Sequence, residues 1–204
     1  MSFLNFKQLT MNYKKTAKSV AALLAAGLLI SACNNATENN KTENPAKAAE
    51  EQNDKKFSKA DEKDAQLIVD AWLGSSFEMR MADSAKKYVN TDEGKRLAGM
   101  LADAHANINS RIQQLAADKQ ITLPADITDD QKKKIEDIKN KKAKDFDEEF
   151  AKAMVEKHED AIKMYEKCAN DATDSDIKAF FTSTLPELRS HLDMATKSKD
   201  ILDK

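Results

Sequence analysis

Apolar side chains recur along this chain at intervals of three and four, the spacing that gathers residues on one face of an α-helix. Four such stripes stand out. The first runs Ile68, Ala71, Ser75, Glu78, Ala82, Ala85 and Val89, and the second Leu97, Leu101, His105, Ile108, Ile112 and Leu115. A third follows Phe146, Phe150, Met154, His158, Ala161, Tyr165 and Cys168, and a fourth Ile177, Phe181, Leu188, His191 and Ala195. No strand-like alternation appears and glycine is scarce, so the pattern predicts an all-α fold, an antiparallel four-helix bundle over residues 58–204.

Helix starts are legible too. Ser58-Lys59-Ala60-Asp61 and Thr128-Asp129-Asp130-Gln131 have capping-box spacing, and Thr91 and Thr173 are plausible caps with acids in the next turn. Ile121 to Ile127, which carries Pro124, predicts an ordered crossover between the second and third helices. Gly74-Ser75-Ser76 predicts a bend or an opening beside Glu78.

Each stripe carries one ionisable or metal-capable residue where a core side chain belongs: Glu78, His105, His158 and His191. The chain has 3 histidines, and all of them lie on these buried faces. At a rise of ~1.5 Å per residue, Glu78 lies about 19 Å before a turn near Thr91 and His105 about 21 Å after it. His105 and His158 are each roughly 20 Å from their paired helix ends, whereas His191 is offset from His158 by about one turn. Pro186 lies along that last helix and offers a kink to absorb the offset.

The first 32 residues read differently. Lys7, Lys14, Lys15 and Lys18 precede an apolar run, Val20 to Ile30, with no acid among them, a secretory signal layout too short to span a bilayer of ~30 Å. Met11 serves equally well as a start. The tail Leu29-Ile30-Ser31-Ala32-Cys33 resembles the lipobox of bacterial lipoproteins, which implies cleavage before Cys33, a lipid on its thiol and attachment to a membrane. An ordinary signal with a chance cysteine is the other reading. With Cys33 acylated, Cys168 has no disulfide partner, and its place on the third stripe suits a small core residue. Residues 33–57 hold almost no large apolar side chain and are expected to form a disordered tether. Asn34 is not the aspartate that retains lipoproteins at the inner membrane under the enteric sorting rule, which points to the outer membrane. Loss of the signal leaves 29 basic residues against 35 acidic ones, a net charge of −6 that disfavours nucleic acid.

Several segments carry a family resemblance: Ile121-Thr122-Leu123-Pro124, Asp145-Phe146-Asp147-Glu148-Glu149-Phe150, Met154-Val155-Glu156-Lys157-His158, and Leu185-Pro186 through His191 to Met194. Over about Lys59 to Lys197 the chain resembles domain-of-unknown-function family 4142. That resemblance implies a ferritin-like bundle in a secreted or outer-membrane-associated protein. It also places Glu78, His105, His158 and His191 on the family's characteristic Glu and His positions, and Asn109 on its Asn. Two departures concern the aspartates that usually precede the first two histidines; here Ala104 and Lys157 stand there. Asp103 and Glu156 are the nearest substitutes for an outer carboxylate orienting each imidazole.

A carboxylate-bridged di-iron site needs Glu-x-x-His on two helices, and the positions three before the histidines hold Ala102, Val155 and Leu188. What remains is three imidazoles and one carboxylate, a set suited to a single zinc, copper or nickel ion. Met154 and Met194 could add thioethers for copper, though methionines at that spacing are ordinarily core. Without an ion the same residues would form a hydrogen-bonded polar core. No catalytic motif accompanies them, so the sequence favours a non-enzymatic envelope protein, either a metal-binding bundle or an interaction protein with unknown partners.

Overall fold

The computed structural model describes residues 44–141 and 143–204, with the side chains of 142–144 excepted. Six helices carry it: α1 Pro45–Asp54, α2 Lys59–Ala85, α3 Asp92–Asp118, α4 Asp129–Lys139, α5 Ala143–Asp171 and α6 Ser175–Leu202. There is no strand among the described residues, and the all-α expectation holds as a helical bundle. No described helix is long and apolar enough to cross a membrane. The signal segment and Cys33 lie outside the described residues.

The stripes are the core. Apart from the half-buried Leu115 and Ala161, every residue of the four stripes is buried, including each polar member. The core divides in two around them. One part gathers Phe77, Met81, Leu97, Leu101, Phe146, Phe150 and Met154; the other gathers Ile68, Ile108, Ile112, Tyr165, Phe181 and Leu188. The Glu and His side chains are buried beside residues of both parts, and Glu78 also lines a pocket.

Three expectations about boundaries need correction. The region expected as a tether contains α1, begun by an Asn44 cap and Pro45 in the first turn. It is held by a polar pair rather than apolar bulk: buried Asn53 donates from Nδ2 to the Thr122 carbonyl (3.0 Å) and accepts the Thr122 amide at Oδ1 (2.7 Å). A search for large apolar side chains misses such an anchor. Second, Ser58 opens α2 without accepting an amide; its hydroxyl donates to Asp61 instead. Third, α6 is capped by Asp174, whose carboxylate accepts the Asp176 and Ile177 amides, and not by Thr173. The Thr91 cap and the Thr128–Gln131 capping box stand as expected, the latter starting α4, which precedes α5 as a separate short helix.

Thr173 is occupied elsewhere. Its amide and hydroxyl, with the Asp174 amide, donate to the buried carboxylate of Asp64 on α2. The opposite end has the matching device: Asp147 on α5 accepts the amides of Asn90 and Thr91 and the Thr91 hydroxyl. Each carboxylate accepts backbone amides at a turn of the other helix pair, tying α2–α3 to α5–α6 at both ends and fixing their depth.

Gly94 exists because of Asp147. A Cβ at Gly94 would lie 2.6 Å from Asp147 Oδ2, an atom locked by its hydrogen bonds, whereas one at mid-helical Gly99 would meet nothing within 4 Å. Gly94→Ala should therefore cost about 1–3 kcal/mol. Gly99→Ala should add about 0.5–1 kcal/mol by removing backbone freedom from the unfolded chain. Urea denaturation of the two variants should show shifts of opposite sign.

Candidate metal centre

The three imidazoles and the carboxylate named from the stripes meet at one place. His105, His158 and His191, from α3, α5 and α6, have ring centroids 5.3, 5.4 and 5.5 Å apart pairwise. One nitrogen from each falls within 4.8 Å of the others. Glu78, on α2, brings Oε2 to 3.1 Å from His105 Nε2 and 3.4 Å from His158 Nδ1. All four side chains are buried, at 3%, 1%, 0% and 7% exposure for Glu78, His105, His158 and His191.

The expected depth mismatch at His191 closes. His158 stands 13 residues before the end of α5 and His191 16 after the start of α6. Side chains lean toward the N-terminus of their own helix, so His158 leans away from the α5–α6 turn and His191 toward it, which recovers most of the offset. Pro186 sits inside α6, which stays one continuous helix.

Hydrogen bonding constrains the ring protons. His158 Nδ1 lies 2.8 Å from the Met154 carbonyl, which only accepts, so Nδ1 carries the proton and Nε2 presents a lone pair. That nitrogen is 3.3 Å from His105 Nε2. His105 Nδ1 is 3.1 Å from the Ser75 hydroxyl, which holds the ring from behind and directs its Nε2 at the common point. The outer partners are thus a serine and a backbone carbonyl. Asp103 and Glu156, the expected substitutes for the displaced carboxylates, are exposed and serve neither ring. The signal for Ser75 was its place on the first stripe, one turn before Glu78. For Met154 no sequence signal exists, since a carbonyl has no residue type. Its side chain is core, and Met194 is only half-buried.

Two polar atoms of the layer lack partners. Neither contact of Glu78 Oε2 has hydrogen-bond geometry, and that atom, like His191 Nδ1, is buried without a hydrogen-bond partner. Burial alone would push the Glu78 carboxyl up, but attraction to His105, His158 and His191 outweighs it and holds the group below the usual carboxylate range. Burial pushes His158 down, opposed by Glu78 and aided by His105. Burial, then His105 and His158, push His191 down to about 4. Around neutral pH the layer therefore holds an ionised carboxylate beside two imidazoles, His158 and His191, shifted toward the neutral form that a cation requires of its ligands.

Spacing agrees with that chemistry. Nitrogen donors at about 2.05 Å from a tetrahedral ion stand roughly 3.3 Å from one another. The His105–His158 nitrogen separation of 3.3 Å and the Glu78–His105 separation of 3.1 Å match two such edges. Cys168 is not part of this layer. It packs 3.5 Å from the Met164 sulfur, and burial raises its thiol to about 11, as befits an inert core residue.

A family match agrees with the resemblance in the sequence: the family described as Domain of unknown function (DUF4142) matches residues 45–197. The chain belongs to this family. Its match begins at α1, earlier than the stripes alone suggested, so α1 is part of the family domain. No curated protein and no solved structure matches the chain.

Proposed function

We propose that this DUF4142 protein is a cell-envelope lipoprotein whose ferritin-like, antiparallel four-helix bundle binds one transition-metal ion through Glu78, His105, His158 and His191. Zinc, copper and nickel suit the donor set. The observation that carries the reading is the convergence of three imidazole nitrogens within 4.8 Å, beside a buried carboxylate oxygen with no hydrogen bond of its own. An ion would satisfy both Glu78 Oε2 and His191 Nδ1, each of which is otherwise buried at a cost of about 1–3 kcal/mol. Lipid on Cys33 anchors the protein at the outer membrane, and its task there is metal buffering or protection against metal stress, without catalysis.

Metal analysis of the protein purified without a histidine tag tests this. About one equivalent of bound ion is expected, with a melting temperature that falls when a chelator removes it. Less than about a tenth of an equivalent after incubation with zinc, copper and nickel in turn, with no chelator-sensitive melting, would reject the metal in favour of an ion-free polar cluster in an envelope interaction protein.

A further inference from the structure

The metal layer is enclosed on most sides, yet an ion must reach it. A pocket of about 370 Å³ opens between α2, α4 and α5, and Glu78 is in its wall. Behind it lies a void of about 10 Å³ lined by Ser75, Glu78, His105 and Tyr165 among others. The two spaces share four lining residues: Gly74 and Glu78 from α2, Ala161 and Met164 from α5. None of the three histidines lines the outer pocket, so Glu78 is the only one of the four proposed ligands that faces it.

We propose that this pocket is the entry port for a hydrated divalent cation, that Gly74 and Ala161 keep its inner aperture open, and that Glu78 is the first ligand the ion meets. The inference rests on the metal-binding reading above and adds its route. Size supports the order of events. The outer pocket has room for an ion with a first shell of about six waters, and the inner void for about one water-sized particle. Hydration must therefore be shed at the aperture, where the Glu78 carboxylate can replace the first waters before His105, which lines the inner void, and then His158 and His191 complete the set. Charge supports the direction. At the rim Asp130 and Asp160 are balanced by Lys134 and Lys157, and Lys157 pairs with Asp160 at 3.6 Å, so the uncompensated negative group is Glu78 at the inner end.

Gly74 is the natural plug point. A Cβ there meets nothing within 4 Å, and Gly74 lines both spaces, so a larger side chain at this position starts without a clash and adds bulk at the aperture. It is also one turn before Glu78, on the same helix face. Gly99, equally free to accept a Cβ but on α3, provides the control.

The test is stopped-flow uptake of cobalt(II), followed by its visible absorption, and chelator-driven release, on wild type, Gly74→Leu, Ala161→Leu and Gly99→Leu. Gly74→Leu should slow uptake and release together by about tenfold or more, leaving equilibrium affinity near the wild-type value, as expected of a gate rather than a ligand. Ala161→Leu closes the same aperture from α5 and should act alike, which decides the matter if Gly74→Leu does not fold. Gly99→Leu should match wild type. Unchanged rates in both plugged variants, with wild-type affinity intact, would overturn the port while leaving the metal site standing. Failure of wild type to bind cobalt or zinc at all would overturn both.

Discussion

Replacing His191 by leucine should raise the melting temperature of the metal-free protein while lowering its affinity for zinc about a hundredfold or more. The two effects have one cause. His191 Nδ1 is buried with no hydrogen-bond partner, so the native fold carries an unsatisfied polar atom that a leucine of similar size would remove. A gain of about 1 kcal/mol, or about 2–4 °C, is expected for a domain of this length. The affinity falls because one of three converging imidazoles is gone. Titration of the metal-free wild type should add a third signature. The folded value of His191 lies near 4, below the ordinary imidazole value near 6.5 in an unfolded chain, and His158 is shifted the same way. The unfolded chain thus binds more protons between those limits. Stability is complete above about pH 6.5 and is lost as pH falls toward 4, and the variant should lose less over that window. A destabilised His191→Leu protein with unaltered zinc affinity would instead mark the imidazole as structural.

Asp147→Ala should be among the most damaging substitutions of a polar residue outside the Glu–His layer, at a cost of about 3–4 kcal/mol. The carboxylate is 2% exposed and accepts the Asn90 and Thr91 amides and the Thr91 hydroxyl, so its loss removes three hydrogen bonds from the α2–α3 turn at once. Asn should restore only part, since its amide group would turn one donor toward donors. The melting temperature should fall by roughly 10 °C. A double-mutant cycle sharpens the test. Gly94→Ala is costly because its methyl group would meet Asp147 Oδ2, so in the Asp147→Ala background that cost should largely vanish. Strict additivity of the two changes, measured by urea unfolding, would show that the carboxylate is not the obstacle. Asp64→Ala, which removes the hydrogen bonds from the Thr173 and Asp174 amides at the other end, should behave like Asp147→Ala.

Much of the molecule was legible in the order of its residues. Helical periodicity is a local property, and it placed nearly every stripe residue in the core and picked out Glu78, His105, His158 and His191 as the polar members of that core. A charged or imidazole side chain on a buried stripe is conspicuous because burying it costs free energy, so it declares itself without knowledge of its neighbours. Caps whose partners lie within one turn, Thr91 and Thr128, were legible for the same reason.

Tertiary structure alone decided who meets whom. Asp64 binds a turn 109 residues away and Asp147 one 56 residues away, separations over which sequence spacing conveys nothing, and those contacts set the depth at which the helices align. The lean of opposed side chains brought His191 into the cluster despite its offset, and the two hydrogen bonds between the Asn53 side chain and the Thr122 backbone anchored a segment whose composition looked too polar to fold. The Met154 carbonyl that holds one histidine ring is as invisible in sequence as the pocket leading to Glu78. Periodicity specifies which face of a helix is buried, but the register between helices is a sum of many contacts distant along the chain, and a site made from four helices exists only once that register is set.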